Sequence, residues 1–211
     1  MDFKSKIDIA ARLKSGERIV VDLGCGAKKL AGSIGIDRSQ LPDVDIITDI
    51  EKGLGFLPDS SVDELHCRSV LEHLENFEPV MSDIVRVLKP TGTAHIFVPH
   101  FSNPYFYSDY THKRPFGLYT FYYFVDEPYQ LKRKVPVFYT NTRIKILSLR
   151  LVFRSPFWLG RQLRKMFGFF VNLSSGCREF YEQYLCYVVP CHGIEIVFTP
   201  DRQNNSQQQS T

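Results

Sequence analysis

Asp109 and His112 are the side chains with the clearest capacity for chemistry, set three residues apart in Asp109-Tyr110-Thr111-His112-Lys113-Arg114. One turn of chain brings such a pair together. A carboxylate that fixes an imidazole tautomer lets the ring take a proton from an attacking hydroxyl or amine. The same pair would also serve simply to tie down a loop. Around it, from Phe101 to Phe124, stand eleven aromatic residues, enough to line an acceptor pocket or to build core. No cluster of His, Cys, Asp and Glu in the sequence suggests a metal site, and none is expected.

A reacting group needs a co-reactant, and the element that would hold one lies earlier. Ile19-Val20-Val21-Asp22-Leu23-Gly24-Cys25-Gly26 reads as a buried parallel strand with an acid and two glycines at its carboxyl end. Ligands of open α/β sheets bind outside the carboxyl ends of the strands. Glycine suits that turn because a ligand must approach the backbone closely. The site is not a dinucleotide fingerprint, since Lys29 stands where a third glycine is needed, and no Gly-Lys-Ser/Thr marks a P-loop. The next acid at a strand end is Asp37, in Ile34-Gly35-Ile36-Asp37.

Asp-Leu-Gly-Cys-Gly followed by Gly-Ile-Asp resembles class I S-adenosylmethionine-dependent methyltransferases. The resemblance continues through Leu57-Pro58-Asp59-Ser60-Ser61-Val62-Asp63, Val70-Leu71-Glu72-His73-Leu74 and Arg86-Val87-Leu88-Lys89-Pro90-Thr91-Gly92. Over residues 19–99 it is similar to the type 11-like branch, in a short form whose glycine turn leads almost directly into the second strand. It implies S-adenosyl-L-methionine as cofactor and S-adenosyl-L-homocysteine as product. Its contacts would be Asp22, Gly24, Cys25 and Gly26 on the aminoacyl end and Asp37 with Arg38 at the ribose. Asp49 and Ile50 would meet the adenine, with Arg68 and Ser69 alongside. Lys28 and Lys29 are candidates for the cofactor carboxylate, or else solvated loop residues. Asp49 could equally be a helix cap. His73 joins His112 and Asp109 as a catalytic candidate near the end of the fourth strand, with a structural role as its alternative. Since a sulfonium already leaves readily, holding the reactants in line can carry the reaction, and a base is not obligatory.

Stepwise patterning gives the frame for these residues. A short helix is expected within Lys4–Lys14, strands at residues 19–23, 34–37, 44–49, 64–67 and 93–99, and an amphipathic helix over Pro79–Leu88. A sixth strand is expected over Arg143–Phe153, a last helix over Phe180–Val189, and a last strand over Gly193–Thr199. This pattern is α/β, and the resemblance implies a Rossmann-like, seven-stranded, mostly parallel sheet flanked by helices, its last strand antiparallel between strands five and six. Only Ala27–Ser33 joins the first two strands, too little for the usual crossover helix. One methyltransferase domain spans 1–200, with substrate-side insertions at about 100–142 and 154–178, and 201–211 forms a disordered tail.

The net charge of +3 hides a strong asymmetry. Residues 1–127 carry −5, residues 128–178 carry +11 with no acid, and residues 179–211 carry −3. A segment of that sign meets phosphate, anionic lipid or acidic substrate, or is a solvated face. Within it, Phe157–Val171 places Leu159, Leu163, Met166, Phe167, Phe169 and Phe170 opposite Arg161, Arg164 and Lys165 on a helical wheel. Such a helix can lid a pocket or pack, lie on an anionic membrane, or dock a partner. Five unpaired-looking cysteines, no signal-type h-region in Met1–Gly16 and no run of 18 or more apolar residues point to a reducing, cytoplasmic setting, with peripheral membrane contact through 157–171 as an option. The expected reaction is methyl transfer to oxygen or nitrogen of a small molecule or glycan precursor. The alternatives are an RNA methyltransferase, disfavoured by the lack of a separate RNA-binding module, and a non-catalytic cofactor-binding scaffold.

Overall fold

The computed structural model describes residues 3–202. Most of the tail expected at 201–211 lies outside them. Eight strands form one sheet: β1 Lys4–Ser5, β2 Val20–Leu23, β3 Ile34–Asp37, β4 Ile46–Ile47, β5 Val62–Arg68, β6 Leu88–Pro99, β7 Ile144–Val152 and β8 Gly193–Pro200, in the order β1-β4-β3-β2-β5-β6-β8-β7. Strands β2 to β6 pair in parallel, and β8 inserts antiparallel between β6 and β7, as the resemblance implies. The eighth strand is an addition. Lys4–Ser5, expected within the first helix, instead pairs antiparallel with Ile46–Ile47 at the sheet edge. The helix α1 is confined to Ile9–Lys14, started by Asp8, whose side chain accepts from Ala11 N at 2.9 Å.

Four further helices are α2 Phe77–Val87, α3 Pro104–Ser108, α4 Trp158–Val171 and α5 Ser175–Tyr184. Helix α2 buries Phe77, Val80, Met81, Ile84 and Val87 against the sheet, the stripe that a 3.6-residue period predicts. The last helix begins five residues earlier than expected, because Ser174 caps it by accepting from Cys177 N.

The sheet is not covered alike on both faces. Val21, Leu23, Leu65, Cys67, Ala94, Ile96, Ile194 and Ile196 are buried on one side. Their alternating neighbours Asp22, His66, His95 and Val197 share one cross-strand row on the other and are only half-buried. The strand read as wholly buried is thus half-wet, since the Ala27–Ser33 crossover contains no helix to cover this row. The rings of His66 and His95 stack there at 4.8 Å, and Glu64 accepts from His66 Nε2 at 2.5 Å and pairs with Arg18.

The aromatic segment after β6 divides. Phe116, Phe121 and Phe124 pack their rings on Phe77 at 5.3, 6.2 and 5.7 Å as core, while Tyr105, Tyr107 and Tyr110 stand exposed. Fully buried His100 anchors the segment through Ser102 Oγ at 2.8 Å and Glu182 at 3.0 Å.

Candidate functional site

The carboxyl ends of β2 and β3 meet through a backbone that only glycine accommodates well. Gly24 and Gly26 have φ of +71° and +58°, and a Cβ on Gly24 would stand 2.1 Å from Val70 Cγ2. The turn is fastened to its neighbours. Gly24 N donates to Ile36 O at 2.7 Å, and Gly26 N donates to Asp37 Oδ2 at 2.9 Å. Asp37 Oδ1 accepts from Ser39 N at 2.8 Å. An ionised carboxylate has about four acceptor sites, so each oxygen retains capacity for one hydroxyl of a vicinal diol.

A cavity of about 280 Å³ opens beside this carboxylate, lined by Gly24, Asp37, Arg38, Asp49, Ile50, Ser69 and His73 among others. Asp49 also caps the following 3₁₀ turn, Oδ1 accepting from Glu51 N at 3.1 Å. The capping and cavity-lining roles coexist. Ser69 holds φ +55°, an uncommon backbone state for a residue with a side chain, and its N–H donates to Phe97 O at 2.9 Å. A second, open cavity of about 710 Å³ runs over the wet face of the sheet, lined by Asp22, Cys25, Lys28 and Arg68. Gly24 lines both cavities, so an elongated ligand could cross from one to the other.

Several expected contacts are differently engaged. Asp22 Oδ2 accepts from Leu30 N at 2.8 Å, which pins the short crossover. Lys29 pairs with Asp45 at 2.6 Å, so it is not simply a solvated loop lysine, and it also lines the open cavity over the wet face. Arg68 lies over the Phe97 ring at 5.2 Å. Cys25 stays a thiol: burial, then the charges of Asp22 and Asp37, push its pKa up to about 11.

The two histidine motifs, distant in sequence, meet. Glu72 O accepts from Lys113 N at 2.8 Å and Arg114 N at 3.1 Å, docking the Asp109–Arg114 loop on the turn after β5. His73 lines the smaller cavity, and its Nδ1 lies 3.0 Å from Thr111 Oγ1. That hydroxyl donates to Asp109 Oδ1, so the imidazole Nδ1–H is the donor to it and Nε2 is the basic nitrogen. His112 sits behind, its ring edge-on to His73 at 4.8 Å. The tautomer of His112 is set by Phe106 O, which accepts from Nδ1 at 2.9 Å, and not by Asp109, whose Oδ2 is 3.6 Å from Nε2. Asp109 instead accepts from Thr111 N and Oγ1, bonds that hold its pKa below the usual carboxylate range.

Glu72 carried no assigned role in the sequence reading. It is 1 % exposed, its Oε1 lies 4.0 Å from His112 Nε2, and its Oε2 has no hydrogen-bond partner. Burial, with a smaller push from Asp109, raises its pKa to about 7. An acid inside an otherwise apolar Val-Leu-x-x-Leu run was the available signal. A larger cavity, about 960 Å³, lies along β7 and is lined by none of the expected site residues.

Comparison with known proteins follows this geometry. Residues 33–96, from the approach to β3 into β6, match the family model described as a methyltransferase domain. With the sheet order described above, this is a Rossmann-like methyltransferase fold. Among solved structures, a SAM-dependent methyltransferase from Archaeoglobus fulgidus matches at 18% identity with a TM-score of 0.55, over 90% of this chain and 89% of that one. The YcgJ protein from Bacillus subtilis matches at 15% identity with a TM-score of 0.50, over 91% of this chain and 97% of that one. No curated protein sequence matches the chain. The methyltransferase fold thus accounts for nearly the whole described chain, with its sequence signature confined to the central strands.

Proposed function

We propose that this methyltransferase domain binds S-adenosylmethionine across the tips of β2 and β3 and transfers its methyl group to oxygen or nitrogen of a small molecule or glycan precursor. The observation that carries the reading is the joint placement of Gly24, Asp37, Asp49, Ile50 and Ser69 around one cavity, with Gly26 tied to the Asp37 carboxylate. The ribose diol would meet Asp37, the adenine would reach Asp49 and Ile50, and the aminoacyl end would cross Gly24 toward Asp22 and Cys25. The cofactor supplies the activated methyl group; the chain's task is to hold donor and acceptor in line. His73, which lines the cavity, accepts the acceptor's proton through Nε2 in this scheme. His112 positions it. Calorimetry with S-adenosylmethionine and S-adenosylhomocysteine tests the reading, with saturable one-to-one binding expected. Retention of neither would overturn it.

Three basic residues of the +11 segment are engaged within the fold. Arg143 pairs with Asp126 at 2.8 Å, Arg133 lies over Tyr119 at 5.1 Å, and Arg164 donates to Pro190 O. Helix α4 favours a different surface. Phe167 packs on Phe153 and Tyr181, yet Trp158, Leu159, Leu163, Met166, Phe169 and Phe170 are all more than half exposed, with Arg161 and Lys165 exposed on the same helix. The apolar stripe is therefore not satisfied by packing. We infer that α4 lies on an anionic membrane surface, where apolar side chains enter the headgroup boundary and basic ones meet lipid charge. No helix among the described residues is long and apolar enough to cross a membrane. Trp158 is the chain's one tryptophan and is 71% exposed, which makes it the probe. Phosphatidylglycerol vesicles should shift its emission to the blue, while phosphatidylcholine vesicles should not. An unmoved spectrum with both removes the membrane contact.

A further inference from the structure

Two imidazoles and a carboxylate converge where the histidine motifs meet. One ligand atom from each of Glu72, His73 and His112 lies within 4.8 Å of the others. Both rings are already oriented from behind. His112 Nδ1–H donates to Phe106 O at 2.9 Å, and His73 Nδ1–H to Thr111 Oγ1 at 3.0 Å, which leaves Nε2 of each as the nitrogen with a lone pair. Anchoring of the distal ring nitrogen by carbonyl or hydroxyl is how protein metal sites fix the tautomer and direction of a ligating histidine. The third member supplies negative charge in the same place. Glu72 is 1 % exposed, and its Oε2 is buried without a hydrogen-bond partner. A buried carboxylate oxygen left unpaired is costly, and a cation is one of the few groups that offsets the cost fully.

We propose that Glu72, His73 and His112 bind a divalent transition-metal ion, with zinc the best match to two imidazoles and one carboxylate. Two nitrogens and one oxygen suit zinc, cobalt or iron, whereas magnesium prefers oxygen donors alone. Ligand atoms around one such ion, at about 2 Å each, stand roughly 3.3 Å apart, so binding draws the three side chains inward by about an ångström. Three protein ligands leave a coordination position for water or for the oxygen or nitrogen of an acceptor. Since His73 also lines the smaller cavity, the ion would sit at its wall. The inference goes beyond methyl transfer and does not need it, because ion binding is read without cofactor; an ion on His73 Nε2 would occupy the lone pair that otherwise takes the acceptor's proton, so the two roles are alternatives.

The full chain, stripped with chelator and dialysed, is titrated with zinc, cobalt and magnesium by calorimetry, and the cobalt form is followed by its visible ligand-field bands. One equivalent of zinc and of cobalt should bind with Kd of about 1 μM or tighter, and magnesium should not. Glu72→Gln and His112→Ala should each weaken zinc binding at least about 100-fold and abolish the cobalt bands. His73→Ala, at a half-buried position, provides the same reading should either of those variants fail to fold by circular dichroism. His66→Ala, on the stacked pair of the wet face, should leave binding unchanged. Absence of stoichiometric zinc binding overturns the assignment, as does binding that survives the three ligand variants or is lost in His66→Ala.

Discussion

Asp37→Ala is expected to weaken S-adenosylmethionine binding by about 100-fold, measured by calorimetry. Two losses combine. A carboxylate that meets both hydroxyls of the ribose forms charge-assisted hydrogen bonds, each contributing about 1.5–3 kcal/mol. The same carboxylate holds Gly26 N at 2.9 Å and Ser39 N at 2.8 Å, so its removal also loosens the turn that the cofactor must approach. A total near 3 kcal/mol corresponds to about two decades in Kd. Asp37→Asn keeps one acceptor oxygen and should fall between, with a loss of about tenfold. Unchanged affinity in the alanine variant, with folding intact, would mean that the diol is bound elsewhere.

The second large effect is on the fold itself. Gly24→Ala should destabilise the chain by about 3 kcal/mol, read as a lowered urea midpoint at constant slope. A side chain at φ +71° costs about 1–2 kcal/mol. The added Cβ also meets Val70 Cγ2 at 2.1 Å in a packed site, and such overpacking costs typically 1–3 kcal/mol. The two contributions separate in a double variant. With Val70→Ala the closest contact eases to 3.2 Å, from Cγ2 to Cβ, and the backbone strain stays, so the pair should be markedly less damaging than the separate losses predict. Additive losses would show that Val70 is not what the glycine makes room for.

What could be read in the sequence, and what could not, divides by range. Gly24, Asp37, Asp49, Ile50 and Ser69 were named from local motifs and line one cavity, because each sits at the end of a strand whose apolar run is itself the signal. The insertion of β8 between β6 and β7 came with the resemblance. Helix α4 was visible in the periodicity of Phe157–Val171, though the wheel says nothing of whether a face is covered. Lys4–Ser5 was misread because two residues have no period; their strand exists through pairing with Ile46–Ile47. The meeting of Glu72 with His112 depends on long-range closure of the loop after α3 onto the turn after β5. The choice of Phe106 O over Asp109 as partner of the His112 ring follows the shape that loop takes there. No local pattern encodes that. The aromatic run from Phe101 to Phe124 split into core and surface for the same reason, since Phe77 selects which rings are buried.

The helix-free crossover at Ala27–Ser33 changes what natural selection can ask of the sheet. Where a doubly wound protein requires volume and shape from its central strands, the positions of Asp22, His66 and His95 answer instead to hydration. Substitutions of His66 and His95 are freer in size than in polarity, while Asp22 is also held by its bond to Leu30 N. Drift toward valine or isoleucine, harmless to local strand geometry, would turn a wetted strip into an adhesive one, and solubility would be the property that failed first.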